Sequence, residues 1–214
     1  MRSRRRPDAF TRRAKSQGFP ARSVFKLEEI DRRTRLLRAG QRVLDLGAAP
    51  GSWTLYAAGR VGAKGCVVAI DRTEIRGAMP AQVAVVTADA TTLDTAALLA
   101  LGISDGPPAP YDVVLSDMAP STTGARDVDQ ARSFALFESA LSIALAVLRP
   151  GGAFVGKIFQ GPDFPLARKL VRAAFREERL IRPEGTRSES YEIFVIGLGR
   201  LEPADSPPTG EPTV

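Results

Sequence analysis

Val43-Leu44-Asp45-Leu46-Gly47-Ala48-Ala49-Pro50-Gly51-Ser52-Trp53 decides the fold of this 214-residue chain. An apolar run enters a glycine-bounded turn, and a helix-compatible run leaves it. Gly47 and Gly51 have no Cβ, so the backbone can bend sharply and come close to a ligand. Ser52 stands where a helix N-cap is expected. A strand, a tight turn and a helix N-terminus together present free backbone N–H groups, the nucleotide-binding corner of open α/β sheets. The spacing is not Gly-x-Gly-x-x-Gly, so the dinucleotide fingerprint fails.

Outward from this turn, strand-like and helix-like runs alternate. Strands are expected at 42–46, 66–70, 83–87, 112–117, 153–159 and 191–198, and helices at 53–60, 93–101, 129–148 and 164–176. A short apolar run at 178–182 is a further strand candidate, pairing with 191–198 as a late hairpin. Upstream, Val24, Phe25, Leu27, Ile30 and Leu36 suit an amphipathic helix over about 22–37, with Ser23 as its cap. Such alternation predicts an α/β fold, a mostly parallel sheet with helices on both faces. The expected organisation is a flexible basic segment at 1–20, one domain over 21–200, and a disordered proline-rich tail at 201–214.

Composition narrows the chemistry. The chain has one cysteine, Cys66, and no histidine. No intrachain disulfide can form, His/Cys zinc sites are unavailable, and Ser-His-Asp or Cys-His catalysis is excluded in its usual forms. Proton transfer must fall to Lys, Asp, Glu, Tyr or Arg. No apolar run is long enough for a transmembrane helix. Residues 1–42 hold 14 lysines and arginines against 4 acids, a net of +10, whereas residues 43–214 hold 16 against 20, a net of −4. A basic front on a mildly acidic domain points to a polyanionic partner. The plainer alternative is a solvated helix face beside a basic tail.

Ligands of such sheets sit at the carboxyl ends of the strands, so polar residues there are the site candidates. The second strand ends at Asp71, an acid suited to a ribose diol. Asp89 follows the third and could meet an adenine amino group. The fourth ends in Ser116-Asp117-Met118-Ala119-Pro120. Glu192 opens the last strand. Each acid alone has a structural explanation as a helix cap. Lys157 is the sharper anomaly, because it lies among Phe154, Val155, Ile158 and Phe159, and lysines are rarely buried without a partner. A structural lysine would snorkel to the strand end. A functional one would have its pKa lowered by desolvation and a second cation, such as Lys26, and would be held by Asp117.

These elements, in this order, resemble the FtsJ family of ribose 2′-O-methyltransferases. The likeness spans about residues 16–199. It rests on Ser23-Val24-Phe25-Lys26-Leu27-Glu28-Glu29-Ile30, the 45–53 turn, Ser116-Asp117-Met118-Ala119-Pro120, Gly156-Lys157-Ile158-Phe159-Gln160-Gly161 and Tyr191-Glu192-Ile193. The resemblance implies a Rossmann-like S-adenosylmethionine-dependent methyltransferase fold, with a mostly parallel seven-stranded sheet whose last strand is antiparallel. It implies a Lys-Asp-Lys-Glu tetrad on Lys26, Asp117, Lys157 and Glu192. It also implies donor contacts on Gly47, Gly51, Trp53, Asp71, Asp89 and Asp117. The implied target is a uridine in the A-loop of 23S ribosomal RNA, with transfer RNA as the alternative substrate in related members. Ser52 replaces the glycine common after Gly51, and Glu189 competes with Glu192 for the fourth tetrad position. A cytoplasmic monomer is expected, with no metal and no membrane contact.

The chemistry fits these residues. A ribose 2′-OH is a poor nucleophile and must lose its proton as it attacks a methyl carbon. Neutral Lys157 is the expected base, with the two acids orienting the lysines. Two rivals stand apart: a nicotinamide oxidoreductase, opposed by the missing glycine fingerprint and Tyr-x-x-x-Lys pair, and an inactive RNA-binding relative, opposed by an intact candidate tetrad.

Overall fold

The computed structural model describes residues 9–103, 107–184 and 191–202. Seven strands form one sheet: β1 Arg42–Leu46, β2 Cys66–Asp71, β3 Val83–Thr87, β4 Tyr111–Ser116, β5 Leu148–Phe159, β6 Phe175–Ile181 and β7 Glu192–Arg200. Their spatial order is β3-β2-β1-β4-β5-β7-β6. The first five run parallel, and β7 is antiparallel to both of its neighbours. The strand order reverses between β1 and β4, which opens a crevice at their carboxyl ends.

Helices cover both faces: α1 Ala9–Ser16, α2 Val24–Thr34, α3 Ser52–Val61, α4 Thr95–Ala100, α5 Arg126–Val147 and α6 Phe164–Ala174. Strand periodicity sorts the core into two layers. Leu44, Leu46, Val68, Ile70, Phe154 and Ile158 pack toward α5 and α6. Val43, Val67, Val113, Val155 and Phe194 pack toward α2 and α3, against Leu27, Ile30 and Trp53. Lys157 shares the parity of Val155, so it belongs to the α2/α3 layer.

Two local expectations are corrected. Part of the segment taken as flexible, residues 9–16, is α1, and its Ala14 is buried. The helix is too short to stand alone. It is held by Phe10 and Arg13 against Phe25, with centroid distances of 5.8 and 4.4 Å. The other correction concerns the caps. Gly51, at φ +101°, occupies the N-cap of α3, and Ser52 is the first helical residue. The Ser52 hydroxyl instead accepts from the Ala21 N–H at 2.8 Å, pinning the approach to α2. Ser23 stands at the N-cap of α2 but makes no side-chain cap bond. Residues 1–8 and most of the expected tail lie outside the described residues, as does Glu189.

Helix α2 is fastened to α3 by a buried carboxylate. Asp31 accepts from the Leu37 N–H, the Tyr56 hydroxyl and Arg60 Nε, all within 3.0 Å. Burial and the Asp31 charge raise the Tyr56 pKa, so its hydroxyl stays a donor. This network fixes where α2 presents Lys26. Among the described residues, no helix is long and apolar enough to cross a membrane.

Candidate active site

At the carboxyl end of β4 the chain turns outward at Asp117, and β5 carries Lys157 past it. Lys157 Nζ donates to the Asp117 carbonyl at 2.6 Å and to Asp117 Oδ1 at 2.8 Å. Lys157 is only 7% exposed. Two acceptors on one residue hold the amino group from two directions. That leaves a third tetrahedral position on the nitrogen for a substrate.

Beside it lies a second pair. Lys26 Nζ, from α2, meets Glu192 Oε1, from β7, at 2.5 Å, and both side chains are largely buried. The sheet register ties the pairs together. Phe194 is the cross-strand partner of Lys157, and Glu192 is that of Phe159. The Phe194 ring lies 6.0 Å from Lys26 Nζ. The four candidate tetrad residues therefore occupy one corner, as two ion pairs rather than a scattered set.

A cavity of about 680 Å³ adjoins this corner. Gly47, Asp71, Asp89 and Asp117 line it, at the ends of β1, β2, β3 and β4, together with Met118. Gly47 has φ +73°, and a Cβ there would stand 2.6 Å from Met118 Cγ, so only glycine fits without a shift. The Asp71 carboxylate accepts from the Ala49 N–H at 2.9 Å and the Thr73 N–H at 2.7 Å, bracing the turn. Asp89 accepts from the Thr91 N–H and hydroxyl, and these bonds hold its pKa below the usual carboxyl value. Both acids thus also do structural work.

Neither Gly51 nor Trp53 lines the cavity. Trp53 is buried in the α2/α3 layer, 5.6 Å from the Phe194 ring, and its Nε1 donates to the Ser23 carbonyl at 2.9 Å. It braces the wall behind Lys26.

One residue of this corner escaped the sequence analysis. Asp45 lies mid-strand in β1, fully buried, and accepts from Thr54 Oγ1 at 2.6 Å. Its Oδ1 has no hydrogen-bond partner. Burial pushes its pKa from 3.8 to about 7, with Asp117 and Asp71 adding to the rise against the Thr54 bond. The sign that flagged Lys157, a charged residue in an apolar strand, was present here too. Among the described residues, no cluster of His, Cys, Asp and Glu could hold a metal ion.

The FtsJ-like methyltransferase family model matches residues 19–200. The chain belongs to the FtsJ-like methyltransferase family. It is 60% identical to the ribosomal RNA large subunit methyltransferase E of Sorangium cellulosum, over 92% of this chain and 89% of that one. Its fold is similar to a Plasmodium falciparum protein assigned as a ribosomal RNA methyltransferase, with a TM-score of 0.74 and 21% identity, over 86% of this chain and 99% of that one. It is also similar to Aeropyrum pernix fibrillarin, solved with S-adenosyl-L-methionine, with a TM-score of 0.51 and 13% identity, over 76% and 68%. The FtsJ-like sheet, with its antiparallel β7, is the architecture expected from the resemblance.

Proposed function

We propose that this protein methylates the 2′-hydroxyl of a uridine in large-subunit ribosomal RNA, using S-adenosylmethionine. The observation that carries the reading is the Lys157 amino group, held twice by Asp117, which itself lines the acid-rich cavity. The choice of ribosomal RNA is supported by the name of the Sorangium relative and by the +10 front of the chain.

The cavity fits the donor. Asp71 suits the ribose hydroxyls, Asp89 the adenine amino group, and Asp117 brings negative charge toward the sulfonium. When bound, S-adenosylmethionine supplies an electrophilic methyl group. The chain's own residues do the rest. In the resting ion pair with Asp117 the Lys157 ammonium has no lone pair, so it first gives up one proton to solvent, which leaves an amine with two N–H bonds and one lone pair. With both N–H groups given to Asp117, the lone pair of Lys157 occupies the remaining position and faces the ribose. It would take the 2′-OH proton as the oxygen bonds the methyl carbon and the methyl–sulfur bond breaks, the sulfur leaving as a neutral thioether. Lys26, held by Glu192, donates toward the ribose and steadies the oxygen as it becomes anionic. Alignment of the two substrates supplies much of the remaining acceleration.

The test is Lys157→Ala. Methyl transfer should fall by about 100-fold or more, the range of a lost general base, while donor affinity stays close to the parent value. Near-normal methylation would overturn the base assignment. The target is tested by transfer of a labelled methyl group to large ribosomal subunits, free ribosomal RNA and transfer RNA, with nuclease mapping of the modified ribose. Label confined to transfer RNA would overturn the ribosomal reading.

A further inference from the structure

Beyond the tetrad, the β5/β7 ladder runs one step further, where the Gln160 N–H donates to the Tyr191 carbonyl at 2.9 Å. Here the Phe159 and Tyr191 rings meet edge to face, with centroids 5.0 Å apart at 69°. Arg126, the first residue of α5, lays its guanidinium over the Tyr191 ring, 5.2 Å from the centroid. The two rings are half-buried and Arg126 is exposed. Neither ring belongs to a hydrophobic core cluster. The backbone beneath the pair is tied to α5. The Phe159 N–H donates to Ser133 Oγ at 2.9 Å, and the Gln130 amide donates to the Gln160 carbonyl.

Position gives this group its meaning. Phe159 lies two residues beyond Lys157 on the same strand, hence on the same side of the sheet and about 7 Å further along. It is also the cross-strand partner of Glu192. Two aromatic rings and a planar cation, outside the core and one step from the proposed base, match how proteins hold unstacked RNA bases.

We propose that Phe159, Tyr191 and Arg126 form a stacking platform for the base of the nucleotide whose ribose is methylated. The proposal rests on the ribose-methylation reading above. With the base laid on this edge, its sugar faces Lys157 and Lys26. Stacking tolerates any base, so the platform contributes affinity and orientation, not sequence choice.

The experiment uses the full chain, labelled donor and large-subunit ribosomal RNA. Tyr191→Leu and Phe159→Leu should each raise the KM for RNA about 5-fold or more, with donor affinity and thermal unfolding unchanged. Tyr191→Phe should remain within about twofold of the parent, because it keeps the ring. Arg126→Ala should act like the leucine variants, and Arg126→Lys should not restore the parent KM, because lysine has no planar face. On RNA lacking the target base but keeping its ribose, the parent and Tyr191→Leu should have equal KM. The platform is overturned if leucine performs as well as phenylalanine at 191, or if the Tyr191→Leu defect persists undiminished on the abasic RNA. Failure of the underlying reading would look different, because the parent protein itself would then place label somewhere other than a ribose.

Discussion

Asp45→Asn isolates the electrostatic cost of the glycine turn. Asp45 is fully buried, with one oxygen bonded to Thr54 and the other unpartnered. Burial, reinforced by Asp117 and Asp71, raises its pKa from 3.8 to about 7. In the folded chain the proton is therefore held more tightly than in the unfolded chain. Stability from this group is complete below pH 3.8 and is lost as pH climbs to about 7. Each pH unit in that window removes about 1.4 kcal/mol, or about 4 kcal/mol across it. Asparagine keeps an acceptor for Thr54 and cannot ionise. Urea unfolding of both proteins between about pH 5 and about pH 7.5 should show the parent losing about 3 kcal/mol relative to Asp45→Asn. Titrating groups that do not feel the Asp45 charge are common to the two proteins and cancel in the difference, and the coupled Asp117 and Asp71 belong to the measured effect. Parallel stability curves would refute the reasoning and mean that Asp45 stays ionised at low cost.

Other perturbations probe neighbouring links. Gly47→Ala must take a left-handed backbone and press on Met118. It should lose about 1–2 kcal/mol of stability and weaken donor binding, read by denaturant titration and calorimetry. Glu192→Gln removes the charge that Lys26 faces at 2.5 Å. It should lower kcat at unchanged donor affinity and cost about 1–3 kcal/mol of stability. Asp31→Ala strips three donors at once. It should destabilise the fold by about 2–4 kcal/mol and reduce kcat by displacing Lys26. RNA affinity should fall steeply with salt. If exposed Lys15 and Arg32 each face a phosphate, their alanine variants should each flatten the log–log slope by about 0.7–0.9.

The glycine turn was legible because strand periodicity, two glycines and a helix start agree within eleven residues. Lys157 and Asp117 were legible as a pair because one is out of place in its strand and the other ends the adjacent one. What sequence could not show was decided by distant contacts. Helix α1 depends on Phe25, which lies beyond its own end, so its arginine-rich local sequence read as flexible. Ser52 looks like a cap, but Gly51 adopts the positive φ that position needs, and the hydroxyl is free to reach Ala21. The surroundings of Trp53 were likewise not legible, because its ring packs on Phe194 and its N–H reaches the Ser23 carbonyl, both distant in sequence. Asp45 was legible in principle. Its neighbours made it look like part of a glycine motif rather than a buried charge.

The direction of β7 explains how this corner can exist. In an all-parallel sheet only carboxyl ends of strands reach the ligand crevice. Because β7 runs antiparallel between β5 and β6, its first residue, Glu192, arrives at that edge instead of its last. The same reversal lets β7 begin beside the end of β5, so Phe159 faces Glu192 and Lys157 faces Phe194. Lys26 comes from a helix that precedes the first strand, and it reaches the corner because Asp31 ties α2 to α3. Two buried ion pairs are a costly way to stabilise a protein, since desolvation offsets most of their attraction. Their worth here is in fixing geometry. Asp117 uses its carbonyl and Oδ1 to aim one lysine, and Glu192 secures the other at the same edge. An apolar replacement of either pair should therefore preserve or raise stability while removing turnover, a separation that core packing alone would not produce.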